Sequence, residues 1–358
     1  MYAAIAFSDG TILGGRGFGA IGKTTGEVVF TTSIVGYEES VTDPSYKGQI
    51  LTFTYPMICN YGVRSGQIES SGIQVNGVIV REYNEFYHHR LAHESLGDFL
   101  KEYNVPGICG VDTRMITKKL RDSGVMNGAL ITSDDKIGDD EIIQLVKKTH
   151  EYGSFDFLKG VSVSKPIFHN ANGKKTIAMI DTGVKLSIIR NFISRGINVW
   201  QMPYNTNYHE IADLKSDGLF LTNGPGDPVQ ARDAINTVRE LQEELPITGI
   251  CLGNQIIALA LGGSTYKLKF GHRGINQPVK DILNNRVCIT SQNHGYAVDA
   301  DSLDETGLEV YMTNLNDGSV EGLNHKRLPI HTIQFHAEAS PGPWDCNWIF
   351  DRFVRDLR

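Results

Sequence analysis

The sequence predicts an α/β protein with two domains, and three observations support this prediction. Residues 1–150 combine strand patterns with glycine-dense turns, which indicates a strand-rich, mixed α/β domain. From residue 175 to residue 358, short apolar runs alternate with helical patterns, and this alternation is typical of a mainly parallel sheet covered by helices. Residues 151–174 show neither pattern, so we interpret them as a linker.

The composition is that of an ordinary globular protein, with 358 residues, 41% hydrophobic and 21% charged. The net charge of -7 argues against a nucleic acid or an anionic membrane as the main partner. No leader pattern or membrane-length apolar run is present, so a cytoplasmic location is expected. Scattered cysteines without C-x-x-C spacing predict a reducing compartment and no zinc ribbon. These cysteines are Cys59, Cys109, Cys251, Cys288 and Cys346.

The N-terminal domain is predicted to begin with a strand and an Asp9-Gly10 hairpin turn. Asp112 or Thr113 is expected to cap a helix that Gly124 ends. The predicted strands are Tyr2–Phe7, Ile50–Tyr55, Gly77–Arg81 and a short strand from Gly107, and the predicted helices are Leu91–Leu100, Met115–Arg121 and Asp134–His150.

Residues Gly17 to Thr24 match the P-loop pattern letter for letter, but their context does not fit nucleotide binding. A P-loop requires a following helix whose N-terminus cradles phosphate. Here a β-branched strand pattern follows instead, so glycine turns are the better interpretation. His88, His89 and His93 form no recognisable metal set, and we find no ATP or metal motif on this chain.

The C-terminal domain is predicted to place its site at the carboxyl ends of parallel strands. Two segments lie at such ends, Asn223–Pro228 and Cys251. The predicted strands are Thr176–Ile180, Ile197–Trp200, Gly218–Thr222, Ile247–Cys251 and Ile330–Phe335, and the predicted helices are Val184–Ile193, Ile211–Leu214, Pro228–Leu245 and Gln255–Leu261.

Cys251 is the candidate nucleophile, because Gly249-Ile250-Cys251-Leu252-Gly253 has the form of a nucleophile elbow. The glycines allow a sharp turn between strand and helix, and the helix N-terminus favours a thiolate. The Leu252 N–H group can then bind a developing oxyanion. The alternative is a buried structural cysteine, which is the more common role of this residue type.

His336 is the preferred base for the thiol. If the strand from Ile330 reaches Glu338, the side chains of His336 and Glu338 project from the same face, and the carboxylate can fix the imidazole tautomer. His294 is the rival base, but no carboxylate accompanies it at strand spacing. The alternative for His336 is a histidine with only structural hydrogen bonds beside a surface glutamate.

Three segments together resemble the signatures of class I (triad) glutamine amidotransferases. Further segments resemble the small, glutamine-hydrolysing subunit of carbamoyl phosphate synthetase, and the resemblance covers essentially the whole chain. The three signature segments are 249–255 (GICLGNQ), 223–228 (NGPGDP) and 334–338 (QFHAE). The further segments are 42–46 (TDPSY), 110–114 (GVDTR), 270–274 (FGHRG), 291–295 (SQNHG) and 314–322 (NLNDGSVEG).

The resemblance implies a flavodoxin-like amidotransferase domain with a Cys251–His336–Glu338 triad. It implies hydrolysis of glutamine through a γ-glutamyl thioester, with ammonia channelled to a large subunit that makes carbamoyl phosphate for arginine and pyrimidine synthesis. The large subunit would be the heterodimer partner and would hold ATP and Mg²⁺, with no cofactor on this chain. The family's glutamine-binding positions fall on Ser45, Gly224, Gly226, Leu252, Gln255, Asn293, Gly295 and Tyr296.

Four positions depart from the family pattern. This chain has Asn254 where the family has His, Ala337 where it has Pro, Ser187 where it has Asn and Tyr296 where it has Phe. Ala337 is expected to loosen the backbone that carries His336, because proline would fix φ. We therefore expect an active glutaminase with a shifted rate. The alternatives are a glutaminase subunit of another synthase, a thiol hydrolase, and a docking or regulatory paralogue with impaired catalysis.

Overall fold

The computed structural model describes residues 1–64, 66–136 and 138–358. The chain divides into two compact units, Met1–Phe155 and Asp156–Arg358. The division falls inside the segment 151–174 that the sequence analysis treats as a linker. Leu158 is buried in the core of the C-terminal unit, so the second half of that segment packs with this unit. The domain limits of 1–150 and 175–358 stay a prediction.

The N-terminal unit is built on a closed seven-stranded barrel in the order β1-β11-β3-β4-β7-β10-β2. Its described strands are β1 (Tyr2–Phe7), β2 (Ile12–Gly19), β3 (Gly22–Thr31), β4 (Gln49–Phe53), β5 (Met57–Ile58), β6 (Val63–Arg64), β7 (Gly77–Ile79), β8 (Glu82–Tyr83), β9 (Ala92–Glu94), β10 (Pro106–Cys109) and β11 (Met126–Ser133). Its described helices are α1 (Tyr37–Thr42), α2 (Leu96–Glu102), α3 (Thr113–Ser123) and α4 (Asp139–Lys147).

Several local predictions for this unit are confirmed. β1 and β2 form the predicted antiparallel hairpin, with Gly10 in the turn at φ 88°. The P-loop-like segment lies in β2, β3 and the turn between them, and a strand follows it instead of a helix. The Asp112 carboxylate accepts a hydrogen bond of 2.9 Å from the Met115 N–H and caps α3, which ends at Gly124.

Two predicted helices of this unit have wrong limits. The helix predicted from Leu91 begins only at Leu96, because the Ser95 hydroxyl caps it by accepting from the Asp98 N–H at 3.0 Å. The residues before this cap form β9. The helix predicted over 134–150 is shorter, as α4, and Ile137 lies outside the described residues.

The C-terminal unit is built on a ten-stranded sheet in the order β12-β14-β13-β15-β16-β21-β20-β19-β17-β18. Its strands are β12 (Ile167–His169), β13 (Lys175–Asp181), β14 (Ile197–Pro203), β15 (Gly218–Leu221), β16 (Ile247–Ile250), β17 (Thr265–Asp281), β18 (Arg286–Val298), β19 (Leu308–Asn314), β20 (Val320–His325) and β21 (Ile330–Ile333). Its helices are α5 (Leu186–Ser194), α6 (Tyr208–Asp213), α7 (Arg232–Leu241), α8 (Leu252–Ala260) and α9 (Ile349–Arg355).

The predicted parallel sheet forms the centre of this unit, where β14, β13, β15, β16 and β21 run parallel. Alternate residues of β13 enter two different apolar clusters. Met179 packs with Phe192 of α5 and Phe353 of α9, whereas Ile180 packs with Val238 of α7. Helices therefore cover both faces of the sheet, as the alternation of strands and helices predicts.

The antiparallel half of the sheet does not follow from the apolar pattern. β20, β19, β17 and β18 extend the parallel strands beyond β21, and β17 and β18 form one long antiparallel pair. Much of this pair is polar in sequence, so the sequence analysis assigned no strand there. In this pair, residues 292–294 of β18 lie opposite residues 272–274 of β17, so that His294 faces His272.

Helix α7 is shorter than the predicted helix Pro228–Leu245. Residues Pro228–Gln230 form a 3-10 turn instead, since the Asp227 carboxylate accepts from the Val229 N–H at 3.1 Å. At Ala231 the backbone has φ -78° and ψ 46°, which interrupts the helical path before α7 begins. The chain then leaves the helix before Pro246, which cannot continue it.

Candidate active site

The candidate site lies at the carboxyl ends of four neighbouring parallel strands. β13, β15, β16 and β21 are adjacent in this order, and a polar segment follows each of them. Asn223 follows β15, Cys251 follows β16, and His336 lies beyond β21. The fourth segment, after β13, brings Lys185, which the sequence analysis did not identify. The sheet therefore assembles residues that are far apart in the chain.

Cys251 occupies a strained turn between β16 and α8. Its backbone has φ 56° and ψ -105°, a conformation that costs a non-glycine residue free energy. The Cys251 N–H donates to the Ile333 carbonyl at 2.9 Å, which holds the turn against β21. A Cβ atom on Gly253 would lie 2.2 Å from the Leu221 carbonyl oxygen, so only glycine fits there. The structure thus has the geometry of a nucleophile elbow.

His336 and Glu338 are in contact, although not for the predicted reason. β21 ends at Ile333, so the expectation that a continuous strand reaches Glu338 is wrong. The His336 N–H instead donates to the Ser291 carbonyl at 2.8 Å, which supports the segment from β18. The His336 Nδ1 atom lies 2.5 Å from Glu338 Oε1. Because the carboxylate accepts, the remaining ring nitrogen, Nε2, carries the lone pair when His336 is neutral.

The Nε2 atom of His336 is buried and makes no hydrogen bond of good geometry with any described residue. The Cys251 side chain lies close enough to contribute to the pKa of His336. The Cys251 Sγ atom donates to the Asn293 carbonyl at 3.6 Å. Rotation about the Cβ–Sγ bond of Cys251 can turn the thiol proton from this carbonyl toward the imidazole.

Lys185 is a buried cation that contacts the carboxylate of Glu338. Its ammonium donates to Glu338 Oε1 at 2.9 Å and to the Ala339 carbonyl at 2.7 Å. Lys185 is 2% exposed and Glu338 is fully buried. No motif marks Lys185, but its place directly after a predicted parallel strand was a signal that could have identified it.

The charges of these three residues set their protonation. Burial lowers the pKa of His336, but the charge of Glu338, its hydrogen bond to Nδ1 and the nearby Cys251 side chain raise it, and the net effect is a raised pKa. Burial raises the pKa of Glu338, but the charges of Lys185 and His336 outweigh it and lower this pKa. Glu338 therefore stays ionised, and His336 is a strong acceptor for a proton.

The rival base, His294, faces away from this arrangement. Its Nδ1 atom lies 2.8 Å from the Tyr296 carbonyl oxygen and its Nε2 atom lies 3.1 Å from Gln292 Oε1. Burial lowers its pKa well below the ordinary value. Both ring nitrogens are thus directed at neighbours other than the thiol.

Seven of the eight residues that the resemblance assigns to glutamine binding lie in the C-terminal unit. The Gln255 side chain donates to the Tyr296 carbonyl at 2.8 Å, so these two positions meet. At Gly224, a Cβ atom would lie 2.1 Å from the Thr182 carbonyl oxygen. Ser45 belongs to the N-terminal unit, in a buried 3-10 turn. The glutamine-binding roles of these eight residues stay predictions. The other four are Gly226, Leu252, Asn293 and Gly295.

Two positions that depart from the family pattern have defined partners. Asn254 is buried, donates to Gln334 Oε1 at 3.1 Å and accepts from the Thr332 hydroxyl at 2.6 Å. The Ala337 carbonyl accepts from Asn347 at 3.3 Å. This bond and the one from Lys185 to the Ala339 carbonyl hold the backbone around Ala337, the position where the family has proline.

Among the residues that the structure describes, no helix combines the length and apolar character needed to cross a membrane.

All five cysteines are buried and free of disulfides. Cys251 differs from the other four in lying at the N-terminus of a helix beside an imidazole.

Two family models match the chain. Carbamoyl-phosphate synthase small chain, CPSase domain, matches residues 5–130, and Glutamine amidotransferase class-I matches residues 178–355. The carbamoyl phosphate synthase small chain of Methanopyrus kandleri is 49% identical over 360 residues, which cover 100% of this chain and 99% of the relative. That of Methanocaldococcus jannaschii is 49% identical over 359 residues, and 99% of both chains are covered.

A third relative, the carbamoyl phosphate synthase small chain of Archaeoglobus fulgidus, is 46% identical over 100% of this chain and 99% of its own. Among solved structures, a glutamine amidotransferase from Thermotoga maritima covers 46% of this chain and 76% of its own, with 19% identity and a TM-score of 0.37. That likeness is too distant to support a conclusion. Full-length identity to the curated relatives is decisive: the chain belongs to the family of carbamoyl phosphate synthase small chains and carries a class I glutamine amidotransferase domain.

Proposed function

We propose that the chain hydrolyses glutamine at Cys251 and supplies the ammonia to a carbamoyl phosphate synthase large subunit. The observation that carries this proposal is the buried cysteine in an elbow at the N-terminus of α8, beside a histidine whose Nδ1 atom contacts Glu338 at 2.5 Å. The names of the relatives supply the partner and the product.

The first step forms a bond between Cys251 Sγ and the side-chain amide carbon of glutamine. His336 accepts the thiol proton at Nε2, because Glu338 fixes its tautomer and raises its pKa. The amide oxygen becomes an oxyanion. The N–H groups of the first turn of α8, beginning at Leu252, have no partners within the helix and can stabilise this charge.

In the second step His336 returns the proton to the leaving nitrogen, and ammonia departs as the thioester forms. Water then adds to the thioester carbon and gives up a proton to His336. The bond from carbon to Cys251 Sγ breaks, glutamate leaves, and His336 returns the proton to the sulfur. Lys185 holds the carboxylate of Glu338 in place through a 2.9 Å hydrogen bond, so the orientation of the imidazole depends on a rigid ion pair.

The ammonia is used by the large subunit, which would hold ATP and Mg²⁺ and combine ammonia with bicarbonate. This chain would need no cofactor for the hydrolytic step. The heterodimer, the channel for ammonia and the role in arginine and pyrimidine synthesis belong to the same proposal.

The test compares glutamine-dependent with ammonia-dependent synthesis of carbamoyl phosphate by the reconstituted complex. Cys251→Ala and Cys251→Ser are expected to abolish the first activity and keep the second. Cys288→Ala, a buried cysteine in the same unit, is the matched control and should keep both. Glutamine turnover that persists in Cys251→Ser would overturn the mechanism, and loss of the ammonia-dependent activity would show a folding or assembly defect.

A further inference from the structure

A second group of buried ionisable side chains lies in the antiparallel half of the C-terminal sheet. His272 on β17 and His294 on β18 are directly opposite each other, with ring centroids 5.0 Å apart and planes at 85°. Glu321 on β20 completes the group, which we call the His₂Glu cluster. One ligand-type atom of each residue lies within 4.8 Å of the other two. The cluster takes no part in the proposed hydrolysis.

The tautomer of His272 directs a lone pair into this cluster. Its Nε2 atom lies 2.9 Å from a carboxylate oxygen of Asp317, which must accept the hydrogen bond. The Nδ1 atom is therefore unprotonated in neutral His272. It is buried and has no hydrogen-bond partner in the described chain.

His294 has the same kind of constraint. Both ring nitrogens face oxygens that only accept, the Tyr296 carbonyl at 2.8 Å from Nδ1 and Gln292 Oε1 at 3.1 Å from Nε2, so neutral His294 can donate to only one of them. We place the proton on Nδ1, which makes the shorter contact. The lone pair of neutral His294 is then on Nε2. That atom lies 3.1 Å from Gln292 Oε1, so two acceptors face each other without a proton or cation between them.

Glu321 brings a third set of lone pairs and, when it is ionised, a negative charge. Its Oε1 atom accepts from Gln292 at 2.7 Å and from Asn314 at 2.8 Å. Its Oε2 atom is buried without a partner among the described residues. The His272 Nδ1 atom lies 3.8 Å from Glu321 Oε1. This distance exceeds that of a hydrogen bond, so a shared proton does not satisfy the two groups.

We propose that His272 Nδ1, His294 Nε2 and Glu321 bind a divalent transition-metal ion of the zinc class. Two imidazoles and one carboxylate form a known three-ligand set for zinc, and an ion supplies the positive charge that the cluster lacks. Ligand atoms around tetrahedral zinc lie about 3.3 Å apart, so binding needs side-chain shifts of about 1 Å. The Asp317 contact to His272 matches the carboxylate that often orients a metal-bound imidazole.

The expected role of the ion is structural. His294 follows Asn293, whose carbonyl accepts the hydrogen bond from the Cys251 thiol at 3.6 Å. An ion that joins β17, β18 and β20 would fix this carbonyl beside the nucleophile without touching the substrate. The sequence analysis predicted no metal on this chain, because the three ligands lie on separate strands and form no short motif.

The experiment measures binding of Zn²⁺ alone to chelator-treated, desalted protein by calorimetry, with metal content measured after dialysis. Cys251→Ala serves as the background, so that a thiol-bound ion cannot be mistaken for the cluster. One ion per chain and a raised melting temperature are expected. Glu321→Gln and His272→Asn should weaken binding at least 10-fold, and Asp317→Asn about 10-fold. His169→Asn, outside the cluster, should leave binding unchanged.

Circular dichroism melts of the metal-free variants establish whether each one folds, and Asp317→Asn tests the site without removing a ligand. Absence of stoichiometric Zn²⁺ binding by the folded protein would overturn the proposal, as would binding that Glu321→Gln, His272→Asn and Asp317→Asn leave unchanged. Because the readout is metal binding, it is independent of whether the chain hydrolyses glutamine.

Discussion

The C-terminal unit contains two buried histidine–glutamate groups with opposite charge balance. In the first, His336 contacts Glu338 at 2.5 Å, and the ammonium of Lys185 lies 2.9 Å from the same carboxylate. In the second, His272 and Glu321 are 3.8 Å apart, and the described residues place no lysine or arginine in an ion pair with Glu321. The same residue types thus meet two different electrostatic environments.

The difference appears in the pKa values of the two glutamates. Burial raises the pKa of Glu321 to about 8, despite its hydrogen bonds to Asn314 and Gln292. Burial acts in the same direction on Glu338, but the charges of Lys185 and His336 reverse it and the pKa is lowered. A buried carboxylate therefore acts as a permanent anion only where a cation accompanies it.

Removal of the cation from the first group should have the largest effect on stability. Lys185→Met leaves Glu338 buried without its ammonium partner, so we expect the free energy of unfolding to fall by about 3–5 kcal/mol. Trp200, Trp344 and Trp348 all lie in the C-terminal unit, so urea unfolding followed by tryptophan fluorescence reports on it. Lys326→Met is the matched control, because its pair with Glu309 is exposed and contributes less than about 1 kcal/mol. Equal losses of unfolding free energy in the two variants would contradict the distinction between the buried pair and the exposed pair.

Removal of the anion should act mainly on the pH dependence of glutamine hydrolysis. Glu338→Gln removes the charge that raises the pKa of His336, so this pKa should fall and kcat should decrease at least about 10²-fold. The pH profile of kcat/KM measures the pKa shift. An unshifted profile would show that Glu338 does not set the protonation of His336.

The same substitution tests the pH dependence of stability. Because folding lowers the pKa of Glu338, its contribution is full well above the unfolded value of about 4.3 and is lost as the pH falls toward the lower folded value. Stability of the wild-type protein should therefore decrease more steeply on acidification than that of Glu338→Gln.

The smallest effect is expected in the second group. Glu321→Gln keeps an oxygen that can accept from Gln292 and Asn314, and it replaces a carboxyl group whose pKa burial raises to about 8, so it removes little charge at neutral pH. In metal-free protein the free energy of unfolding should change by no more than about 1 kcal/mol, in either direction. Urea unfolding at neutral pH, with and without Zn²⁺, measures this change. A loss as large as that of Lys185→Met would mean that Glu321 has a stabilising partner other than a metal.

The fold class, the parallel half of the C-terminal sheet and the turn that carries the thiol could be predicted from local patterns. Continuous apolar strands alternate with amphipathic helices, and the glycines around Cys251 mark a turn that few other residues permit. The long pair β17–β18 could not be predicted, because its inner residues are polar and show no apolar alternation. Lys185 was missed for a related reason, since only tertiary packing decides that a lysine is buried and paired.

The segment after β21 shows the limit of reasoning from strand periodicity. The sequence analysis used strand spacing to place His336 beside Glu338, whereas the strand stops at Ile333 and the segment is held by Ser291, Lys185 and Asn347. Ser291 and Lys185 come from distant parts of the chain, and Asn347 follows ten residues after Ala337. No local pattern contains them, although the residue pair itself was identified.

The position of β21 in the sheet has a consequence for protein synthesis. β21 is the last described strand to leave the ribosome, yet it inserts between β16 and β20, which are made earlier. The nascent chain therefore carries the Cys251 thiol before it carries the His336 base. Until β21 is in place, the thiol lacks its base and the Ile333 carbonyl that holds the elbow. Under the proposed mechanism, an incomplete chain cannot waste glutamine or release free ammonia into the cell.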